Sequence, residues 1–570
     1  MKLLEVENLT VQYPGDTDPV CQISFELESG ELLGIAGASG AGKSTAMLAL
    51  MGLLPDQVQI TSEKLKQYGT KAMIFQDASA SLNPLVLVGK QLTETIRAHR
   101  KCTRKEAAEQ AEMLLDEVGI QNPRQRMKQY PFELSGGMKQ RVAIAIALAC
   151  NPDLIIADEP TTALDVTVQR QILDLLKKIA KETHTAIILV SHDLGVIMSM
   201  CSRVLVMKEG RIVEDGDAKQ IFYEPVHPYT KELLDRARTL YQMPEKKETG
   251  EVILQAQNLG RSFVNKFMFG KSHSLEAVEP LSFQIQKGET FGLVGESGSG
   301  KTTLARILTG IIKQSCGSFS CKGKIQMIFQ DAAASFNPEF SVERILEEPL
   351  VIQKAGSKKE RERQVEKMLR LVRMEKIDVR KTTAALSGGE RQRIAVARAM
   401  LSSPELLICD ESFSAQDILT QAQLLELLEE IQKKTDLAYL FISHDLHVVR
   451  RISQRMGVMY LGSMVEQGVT EEIYEDPWHP YTKELLRAML PLDPKKAARQ
   501  KRLILKETRN HSRDLKKGCP YASRCRYAME CCYREKPGNY RFGDREVRCF
   551  LYSEAHTKKR AKDYQMTSQI

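Results

Sequence analysis

The stretch GASGAGKST (Gly37–Thr45) recurs later in the chain as GESGSGKTT (Gly295–Thr303). Each copy follows a short apolar run that is typical of a strand and precedes a helical pattern. Backbone N–H groups of a glycine-rich loop can surround phosphate oxygens, and the following helix N-terminus favours negative charge. The two stretches therefore predict two nucleotide-binding loops. The residues expected to contact the nucleotide are Gly37, Ala38, Ser39, Gly40, Ala41, Gly42, Lys43, Ser44 and Thr45 in the first loop, and Gly295, Glu296, Ser297, Gly298, Ser299, Gly300, Lys301, Thr302 and Thr303 in the second.

The two loops belong to a longer internal repeat. Lys43 and Lys301 are 258 residues apart, and from the middle of each half onward the offset settles at 252, as for Asp158 and Asp410. This period is too long for a solenoid and indicates a duplicated domain. We expect a first domain at 1–245, a second at 246–495 and a third segment at 496–570 with no counterpart in the first half.

The pattern within each half predicts the fold class. Short β-branched and apolar runs such as DLIIADE and TAIILVSHD alternate with longer amphipathic stretches. Such alternation predicts an α/β domain with a largely parallel central sheet, and ligands are expected at the carboxyl ends of its strands.

Composition sets broad limits on location and partners. The 570 residues contain no apolar run long enough to span a bilayer, and the N-terminus lacks a signal-peptide layout, so we expect a cytosolic chain whose membrane role is peripheral. The segment 491–570 is strongly basic. It could bind an anionic surface such as nucleic acid or lipid head groups, or it could be a solvated tail that binds nothing. Five of the 12 cysteines lie between Cys519 and Cys549, which suggests metal ligation in a reducing compartment.

Acidic residues and histidines end the buried strands of both halves. Asp158 and Asp410 occupy the place expected of a carboxylate near Mg²⁺, with Ser44 and Thr302 as further ligands. The residues that follow them, Glu159 and Glu411, can orient or deprotonate an attacking water. His192 and His444 each lie 34 residues beyond Asp158 and Asp410, at the end of the next strand, and are predicted to take part in catalysis.

The stretches LSGGMKQR (Leu134–Arg141) and LSGGERQR (Leu386–Arg393) are the most specific signal. With a phosphate loop before them and an acidic strand after them, they resemble the signature of ATP-binding cassette (ABC) ATPases over both repeats. The resemblance implies that each cassette has a mainly parallel core sheet and a helical subdomain. It also implies that the two cassettes pair head to tail, so that each ATP lies between the phosphate loop of one and the signature of the other.

The resemblance assigns a role to residues from both halves. One composite site would use Lys43, Gln76, Asp158, Glu159 and His192 with Ser387, Gly388 and Gly389, and the other would use Lys301, Gln330, Asp410, Glu411 and His444 with Ser135, Gly136 and Gly137. Gln76 and Gln330 are expected to contact Mg²⁺ as well as the attacking water. Tyr13 and Phe263 are expected to stack on adenine, although either could equally be a packing aromatic. Asp165 and Asp417 end the segments ADEPTTALD and CDESFSAQD, which are expected to approach the opposite site.

Further motifs narrow the resemblance to the oligopeptide/dipeptide/nickel importers. They are FQDASASLNP and FQDAAASFNP after the glutamine-bearing strand, and the pair EPVHPYTKELL and DPWHPYTKELL. The C-terminal stretch GCPYASRCRYAMECC, with Cys549, resembles the cysteine-rich tail of peptide-importer ATPases. That resemblance selects Cys519, Cys525, Cys532 and Cys549 as ligands of a [4Fe–4S] cluster or Zn²⁺, with Cys531 left over.

The resemblance implies the ATPase subunit of a bacterial importer, working at the cytoplasmic face of the membrane with two permease subunits and an extracytoplasmic solute-binding protein. Peptides are the expected cargo, and nickel or a metal–chelator complex is the alternative. A different class, a soluble twin cassette acting on ribosomes or nucleic acid, is disfavoured because the linker between the cassettes is short and the cysteines are C-terminal. No nucleic-acid partner is expected.

The second acidic segment differs from the first at two positions. Ser412 and Gln416 stand where the first half has Pro160 and Leu164, whereas Asp410, Glu411 and His444 are intact. We therefore expect a working second site with altered packing near it.

Overall fold

The computed structural model describes all residues except 16–18, 163, 243–249, 266–272, 332–333, 414–415, 501–516 and 554–570. The described residues form two compact units. The first unit comprises the described residues within Met1–Thr239, Asp417–Leu419 and Ala488–Leu503, and the second comprises those within Leu240–Gln416, Thr420–Arg487 and Ile504–Ile570.

A mixed sheet organises the first unit. Five strands run parallel in the order β6-β7-β8-β3-β9. Beyond β9 the sheet continues through β10, β2 and β1, and β1 also pairs with β4 and β5. These further pairings are antiparallel, except that β10 and β2 are parallel. The strands are β1 (Lys2–Gln12), β2 (Cys21–Glu28), β3 (Leu32–Ala36), β4 (Gln59–Thr61), β5 (Lys64–Gln67), β6 (Lys71–Ile74), β7 (Leu154–Asp158), β8 (Ala186–Val190), β9 (Arg203–Lys208) and β10 (Arg211–Asp217).

The second unit repeats this topology with two sheets. Parallel strands lie in the order β15-β16-β17-β13-β18, β19 follows antiparallel, and β12, β11 and β14 form a separate antiparallel sheet. A hairpin of the C-terminal segment, β20 and β21, continues the larger sheet beyond β19. The strands are β11 (Val252–Asn265), β12 (His273–Gln286), β13 (Thr290–Val294), β14 (Cys316–Cys321), β15 (Ile325–Ile328), β16 (Leu406–Asp410), β17 (Ala438–Ile442), β18 (Arg455–Tyr460), β19 (Ser463–Val469), β20 (Tyr540–Phe542) and β21 (Arg545–Val547).

Helices pack against the sheets and build a helical subdomain in each unit, from α3, α4 and α6 in the first and from α12, α13 and α14 in the second. The helices of the first repeat are α1 (Lys43–Met51), α2 (Ala78–Ser81), α3 (Val88–His99), α4 (Arg104–Glu117), α5 (Pro123–Arg126), α6 (Gly136–Ala149), α7 (Val166–Thr183), α8 (Leu194–Met200), α9 (Ala218–Tyr223) and α10 (Pro228–Leu240). Those that follow are α11 (Lys301–Leu308), α12 (Val342–Ile352), α13 (Lys358–Leu371), α14 (Gly388–Met400), α15 (Ile418–Thr435), α16 (Leu446–Ile452), α17 (Thr470–Glu475), α18 (Pro480–Ala488), α19 (Pro494–Arg499) and α20 (Glu530–Arg534).

The strands that carry the predicted site residues are the most buried parts of each unit. Every residue of β7, β8, β16 and β17 is buried, as expected for parallel strands covered on both faces. The predicted α/β fold with two cassettes and helical subdomains is confirmed. Among the described residues, no helix combines the length and the hydropathy that a membrane crossing requires.

The first unit includes a segment that follows the second repeat in sequence. Helix α19 packs against α8 and α9, the Tyr223 hydroxyl donates to Asp493 Oδ1 at 2.6 Å, and Arg170 Nη1 donates to Gln500 Oε1 at 2.6 Å. These contacts attach residues near 500 to the first cassette.

Candidate nucleotide sites

The phosphate loops connect β3 to α1 and β13 to α11. Gly37 and Gly295 both have φ of 153°, and a Cβ at either would lie 2.4 Å or less from the carbonyl oxygen of Met207 or Met459. Only glycine fits this approach of loop to sheet. Lys43 Nζ donates to the carbonyl oxygens of Gly37 and Ala38, each at 2.8 Å.

The second loop repeats this arrangement. Lys301 Nζ donates to the carbonyl oxygens of Gly295 at 2.7 Å and Glu296 at 3.1 Å. The remaining loop residues lie with these lysines at the N-termini of α1 and α11, where backbone N–H groups without helical partners can bind phosphate oxygens.

The carboxylates that end β7 and β16 lie beside the hydroxyls of the phosphate loops. Thr302 Oγ1 donates to Asp410 Oδ1 at 3.2 Å, and Ser44 is hydrogen-bonded to Asp158. Asp158 Oδ1 is buried and has no hydrogen-bond partner among the described residues. A buried carboxylate oxygen of this kind next to a hydroxyl suits Mg²⁺, which prefers oxygen ligands. The residues at both sites therefore fit the metal.

Glu159 is held by three groups in the first unit. Gln76 Nε2 donates to its Oε2 at 2.9 Å, Thr162 Oγ1 donates to the same oxygen at 3.0 Å, and His192 Nδ1 lies 3.0 Å from its Oε1. Its backbone is left-handed, with φ of 47°. A non-glycine residue in this region carries strain that the surrounding contacts must offset, a situation that is concentrated at functional sites.

Glu411 also contacts the glutamine and the histidine of its own cassette, at longer distances than Glu159 does. Its φ is 48°, and Gln330 Nε2 donates to its Oε2 at 3.1 Å. His444 Nδ1 lies 3.7 Å from that oxygen, and Lys301 Nζ lies 3.7 Å from Oε1. The structure thus brings together the predicted lysine, glutamine, glutamate and histidine within each cassette.

The pKa values of the two carboxyl groups in each site are shifted in opposite directions. Burial raises the pKa of Asp158 and of Asp410. Burial also works against the charge of Glu159, but hydrogen bonding and attraction to His192 outweigh it and lower the pKa of this carboxyl. Conversely, burial disfavours a charged His192, yet Glu159 raises the pKa of the imidazole. Glu159 and His192 therefore stabilise each other's charged forms.

The signature residues begin the long helices of the helical subdomains. Ser135 caps α6, and its Oγ accepts from Met138 N at 3.4 Å. Ser387 caps α14 more completely, because Glu390 Oε2 also accepts from Ser387 N at 2.8 Å. Gly136 and Gly137, like Gly388 and Gly389, form the first turn of their helix, which leaves N–H groups available for an anion.

The segments that carry Asp165 and Asp417 lie next to the signatures of their own repeats. A Cβ on Gly136 would lie 3.8 Å from the Leu164 side chain, and one on Gly388 would lie 3.4 Å from the Gln416 amide. Gln416 thus lies beside the signature glycine of the second repeat, as Leu164 does in the first. Asp165 precedes α7, and Asp417 Oδ1 accepts from Leu419 N at 3.1 Å. Ser412 Oγ is buried and lacks a partner among the described residues.

The two predicted adenine-stacking aromatics lie in different surroundings. Tyr13 packs, partly buried, against the core of the first unit. Phe263 lines a cavity of the second unit together with Lys301, Thr302 and Glu411, and the Arg261 guanidinium lies 4.7 Å from the centre of its ring.

The sequence did not reveal a role for the two HPYT motifs, and the structure provides one. The Tyr229 hydroxyl accepts from Ala38 N, and the Tyr481 hydroxyl accepts from Glu296 N, each at 3.0 Å. Each motif thus contacts the second residue of its phosphate loop. The sequence did contain one indication of this role, since the two tyrosines are separated by the repeat offset of 252 residues. A buried polar group usually has a hydrogen-bond partner, so a duplicated tyrosine predicts a duplicated partner.

A histidine holds each of these tyrosines in place. His479 Nδ1 accepts from Tyr481 N at 3.0 Å, and the corresponding distance between His227 and Tyr229 is 3.2 Å. The imidazole therefore acts as the N-terminal cap of α18, with proline in the first helical position as is common.

Comparison with known proteins identifies the family. The profile described as "ABC transporter" matches residues 20–162 and 278–414. The profile described as "Oligopeptide/dipeptide transporter, C-terminal region" matches residues 213–261 and 465–532, which include both HPYT motifs. A glutathione import ATP-binding protein of Pectobacterium atrosepticum is 37% identical over 89% of this chain and 92% of its own length. The protein belongs to the oligopeptide/dipeptide family of ABC importer ATPases.

Other relatives agree with this assignment. The glutathione import ATP-binding protein of Escherichia coli strain K12 is 37% identical over 88% of this chain and 92% of its own length. This importer ATPase is thus an ATP-hydrolysing subunit, and the family binds ATP with Mg²⁺ at the kind of site described above.

Solved structures show a shared fold at lower identity. A structure titled "RNase-L Inhibitor" superimposes with a TM-score of 0.55 over 80% of this chain and 89% of its own, at 20% identity. A complex that contains an archaeal ribosome recycling factor gives 0.54 over 80% of this chain and 88% of that one, also at 20% identity. These likenesses concern the fold alone.

The cysteines of the importer ATPase's C-terminal segment surround one small cavity in the second unit. Cys519, Cys525, Cys532 and Cys549 all line it, together with His479. Tyr527 N and Met529 N donate to the sulfurs of Cys525 and Cys532, each at 3.4 Å. Within the described part of the chain, however, no three potential ligands are grouped closely enough to hold a single metal ion. The thiols share a cavity without converging on one point.

Proposed function

We propose that the importer ATPase powers the uptake of short peptides, of which glutathione is the nearest example. The strongest support is the identity of 37% to a glutathione import ATP-binding protein across nine-tenths of the chain. Both HPYT regions also match the oligopeptide/dipeptide profile. Nickel or a metal–chelator complex is the alternative cargo within the family, and no contact in the described residues favours it.

The geometry of each cassette supports a set of proposed catalytic roles. Glu159 and Glu411 would orient the attacking water, and because its pKa is lowered, Glu159 acts more by orientation than by taking a proton. His192 and His444 would hold these carboxylates in position. Gln76 and Gln330 would contact both the attacking water and Mg²⁺. Lys43 and Lys301 would bind the phosphates, with Mg²⁺ beside Asp158 and Asp410 supplying charge neutralisation.

The remaining site residues would complete two composite sites. We retain the division into domains at 1–245, 246–495 and 496–570, and we propose that the two cassettes pair head to tail. The serine and glycines of one signature, with Asp165 or Asp417, would then face the phosphate loop of the other cassette. Tyr13 and Phe263 would stack on the adenine rings.

Paired mutations test the composite sites. With head-to-tail pairing, Lys43→Ala and Gly389→Asp damage the same site, so the double variant retains about as much hydrolysis as the more impaired single variant. The matched double variant, Lys43→Ala with Gly137→Asp, damages both sites and loses nearly all activity. If the first combination abolished hydrolysis and the second did not, each cassette would work with its own signature.

Membrane partners are expected because transport needs a path across the bilayer. We propose that the protein acts at the cytoplasmic face with two permease subunits and an extracytoplasmic solute-binding protein. Exposed apolar side chains on the first helical subdomain support such docking, since Leu85 is 82% exposed and Phe132 is 67% exposed. Large apolar side chains left exposed in this way are candidates for contact with a partner.

The cargo can be identified directly. The transporter would be purified with its permeases and binding protein, and the retained ligand would be measured by mass spectrometry. A di- or tripeptide such as glutathione is the expected result. A retained nickel complex would replace peptides as the cargo, and co-sedimentation with ribosomes without permeases would overturn the importer assignment.

We also propose that the four thiols around the C-terminal cavity bind an iron–sulfur cluster. They line one cavity, and their spacings of five, six and 16 intervening residues depart from the closely paired cysteines of zinc knuckles, which favours iron–sulfur over Zn²⁺. Iron, sulfide and zinc analysis of protein purified without oxygen tests this proposal. About four irons per chain is expected, whereas stoichiometric zinc or no metal would contradict it.

A further inference from the structure

The C-terminal segment contributes cations to the surroundings of the second phosphate loop. We call the described residues 517–553 the Cys-rich module. Lys536 Nζ donates to Glu279 Oε1 at 2.8 Å and to Glu276 Oε2 at 3.1 Å, and Arg548 Nη1 donates to Glu279 Oε2 at 2.7 Å. Three ion pairs therefore join the module to strand β12.

A third cation of the module contacts the phosphate loop itself. Arg524 Nη1 donates to both carboxylate oxygens of Glu296, at 3.0 Å each, and Arg524 Nη2 donates to Glu484. Glu296 is the second residue of the loop, and its N–H is the one that Tyr481 holds. Arg524 thus bridges Glu296 and Glu484 by charge-assisted hydrogen bonds, which are stronger than neutral ones and hold the guanidinium against the loop.

The module also forms part of the cavity wall at this site. Lys536 and Pro520 line the same cavity as Phe263, Lys301, Thr302 and Glu411. The side chain of Lys536 is 30% exposed, whereas that of Glu279 is only 6% exposed. Partial burial disfavours the charge of Lys536, but hydrogen bonding and attraction to Glu279 and Glu276 raise the pKa of its ammonium group.

The two repeats differ at two of the four carboxylates that these cations contact, while Glu276 and Glu484 have the acidic counterparts Asp18 and Glu232. At the offset of 258 residues, Glu296 corresponds to Ala38, and Glu279 corresponds to Cys21. The first cassette thus has neither of these two carboxylates, and the module has no counterpart in the first half of the chain. The extra acidic residues and the cations that pair with them occur together, in the second cassette.

Uncompensated carboxylates beside this cavity would oppose a nucleotide. ATP with Mg²⁺ keeps a net negative charge, and Glu279 is buried where screening by water is weak. Lys536 and Arg548 together balance the two carboxylates of β12, and of these two cations Lys536 is the one on the cavity wall. It therefore lowers the repulsion that a phosphate chain would meet.

We propose that the Cys-rich module is a structural part of the second nucleotide site, in which Lys536 supplies the positive charge that ATP binding needs and Arg524 positions the phosphate loop. This inference rests on the assignment of that loop as a nucleotide site. The second site then depends on the module for its affinity, whereas the first site does not. The two ATP sites of the chain are unequal for this reason.

Nucleotide binding by the full-length chain tests the proposal. In a Lys43→Ala background, Mg²⁺–ATPγS is measured by equilibrium dialysis at the second site. Lys536→Gln is expected to weaken binding there roughly tenfold, and Lys536→Arg to restore most of the affinity. Adding Glu276→Gln to Lys536→Gln should recover part of the loss, because a repelling carboxylate is removed.

Two control variants distinguish an effect of Lys536 on the second site from a general effect on nucleotide binding. Lys322→Gln breaks a surface ion pair with Glu251 in the same unit, outside the cavity wall, and should leave the affinity unchanged. In a Lys301→Ala background, Lys536→Gln should not change binding at the first site.

An unchanged affinity in Lys536→Gln, or an equal loss at both sites, would overturn the role of the module. If the Lys43→Ala background bound no nucleotide even with the module intact, the site assignment itself would be wrong.

Discussion

His192 Nδ1 lies 3.0 Å from Glu159 Oε1, while Gln76 Nε2 lies 2.9 Å from the other oxygen of the same carboxylate. Both oxygens of Glu159 are thus held, and the backbone of this residue is left-handed. The position of the carboxylate is therefore determined by its neighbours on both sides. Its counterpart Glu411 has the same backbone and a longer distance to its histidine.

Replacement of Glu159 by glutamine is expected to lower ATP turnover at least about tenfold, because an amide cannot orient the attacking water as a carboxylate does. ATP affinity should change little. Steady-state hydrolysis and nucleotide binding measured on the same preparation check this prediction. Glu182→Gln, which breaks an exposed pair with Lys178 on α7, serves as the control and should behave like the parent protein.

Replacement of Glu411 by glutamine is also expected to lower turnover strongly. The residues around it are intact, although Ser412 and Gln416 differ from the first repeat. Hydrolysis by Glu411→Gln in the presence of an unaltered first cassette is the measurement. Unchanged turnover would mean that the second site does not hydrolyse ATP.

Removal of the Tyr481 hydroxyl should loosen the second phosphate loop. Tyr481→Phe leaves Glu296 N without its acceptor, and loss of such a hydrogen bond costs about 1 kcal/mol. The KM for ATP should rise about fivefold, with a smaller change in kcat, and Tyr229→Phe should do the same at the first loop. Tyr474→Phe, which removes a hydroxyl bonded to the Leu446 carbonyl, is the matched control, and an equal effect there would point to general destabilisation.

Acid should destabilise the second unit through His479. Complete burial lowers the pKa of His479 from 6.5 to about 3. The unfolded chain therefore binds a proton between these pH values while the folded chain does not, so stability falls as the pH falls below about 6.5. The expected slope approaches 1.4 kcal/mol per pH unit for this one group.

The variant His479→Asn can still cap α18 through its side-chain oxygen but does not titrate. Thermal unfolding between about pH 4 and pH 7 should show a shallower loss of stability in the variant than in the parent protein. Identical pH profiles for the two proteins would contradict the assigned cause.

Much of the fold followed from sequence because the informative patterns are local. The spacing of the glycines predicted the phosphate loops, and fully apolar runs predicted the buried parallel strands β7, β8, β16 and β17. Because the two halves repeat at a constant offset, each prediction for one half also applied to the other. The positions of Glu159 and His192 were accessible for the same reason, since Glu159 directly follows β7 and His192 lies two residues beyond β8, at the ligand side of the sheet.

The remaining features depend on contacts between residues that are distant in sequence. Tyr229 meets Ala38 across 191 residues, and Arg524 meets Glu296 across 228. Nothing in the local pattern of HPYT or of the cysteine-rich tail specifies those partners. The left-handed backbone of Glu159 was equally inaccessible, because local propensity disfavours it and only the tertiary contacts stabilise it.

We propose that ATP hydrolysis by this protein drives peptide import. The most direct measurement is uptake of labelled glutathione or a dipeptide into vesicles that contain the permeases, with the binding protein outside and ATP with the importer ATPase inside. Uptake that requires ATP and is lost in the Glu159→Gln, Glu411→Gln double variant is the expected result. Absence of ATP-dependent uptake of any peptide, with hydrolysis stimulated by ribosomes instead, would contradict the claim.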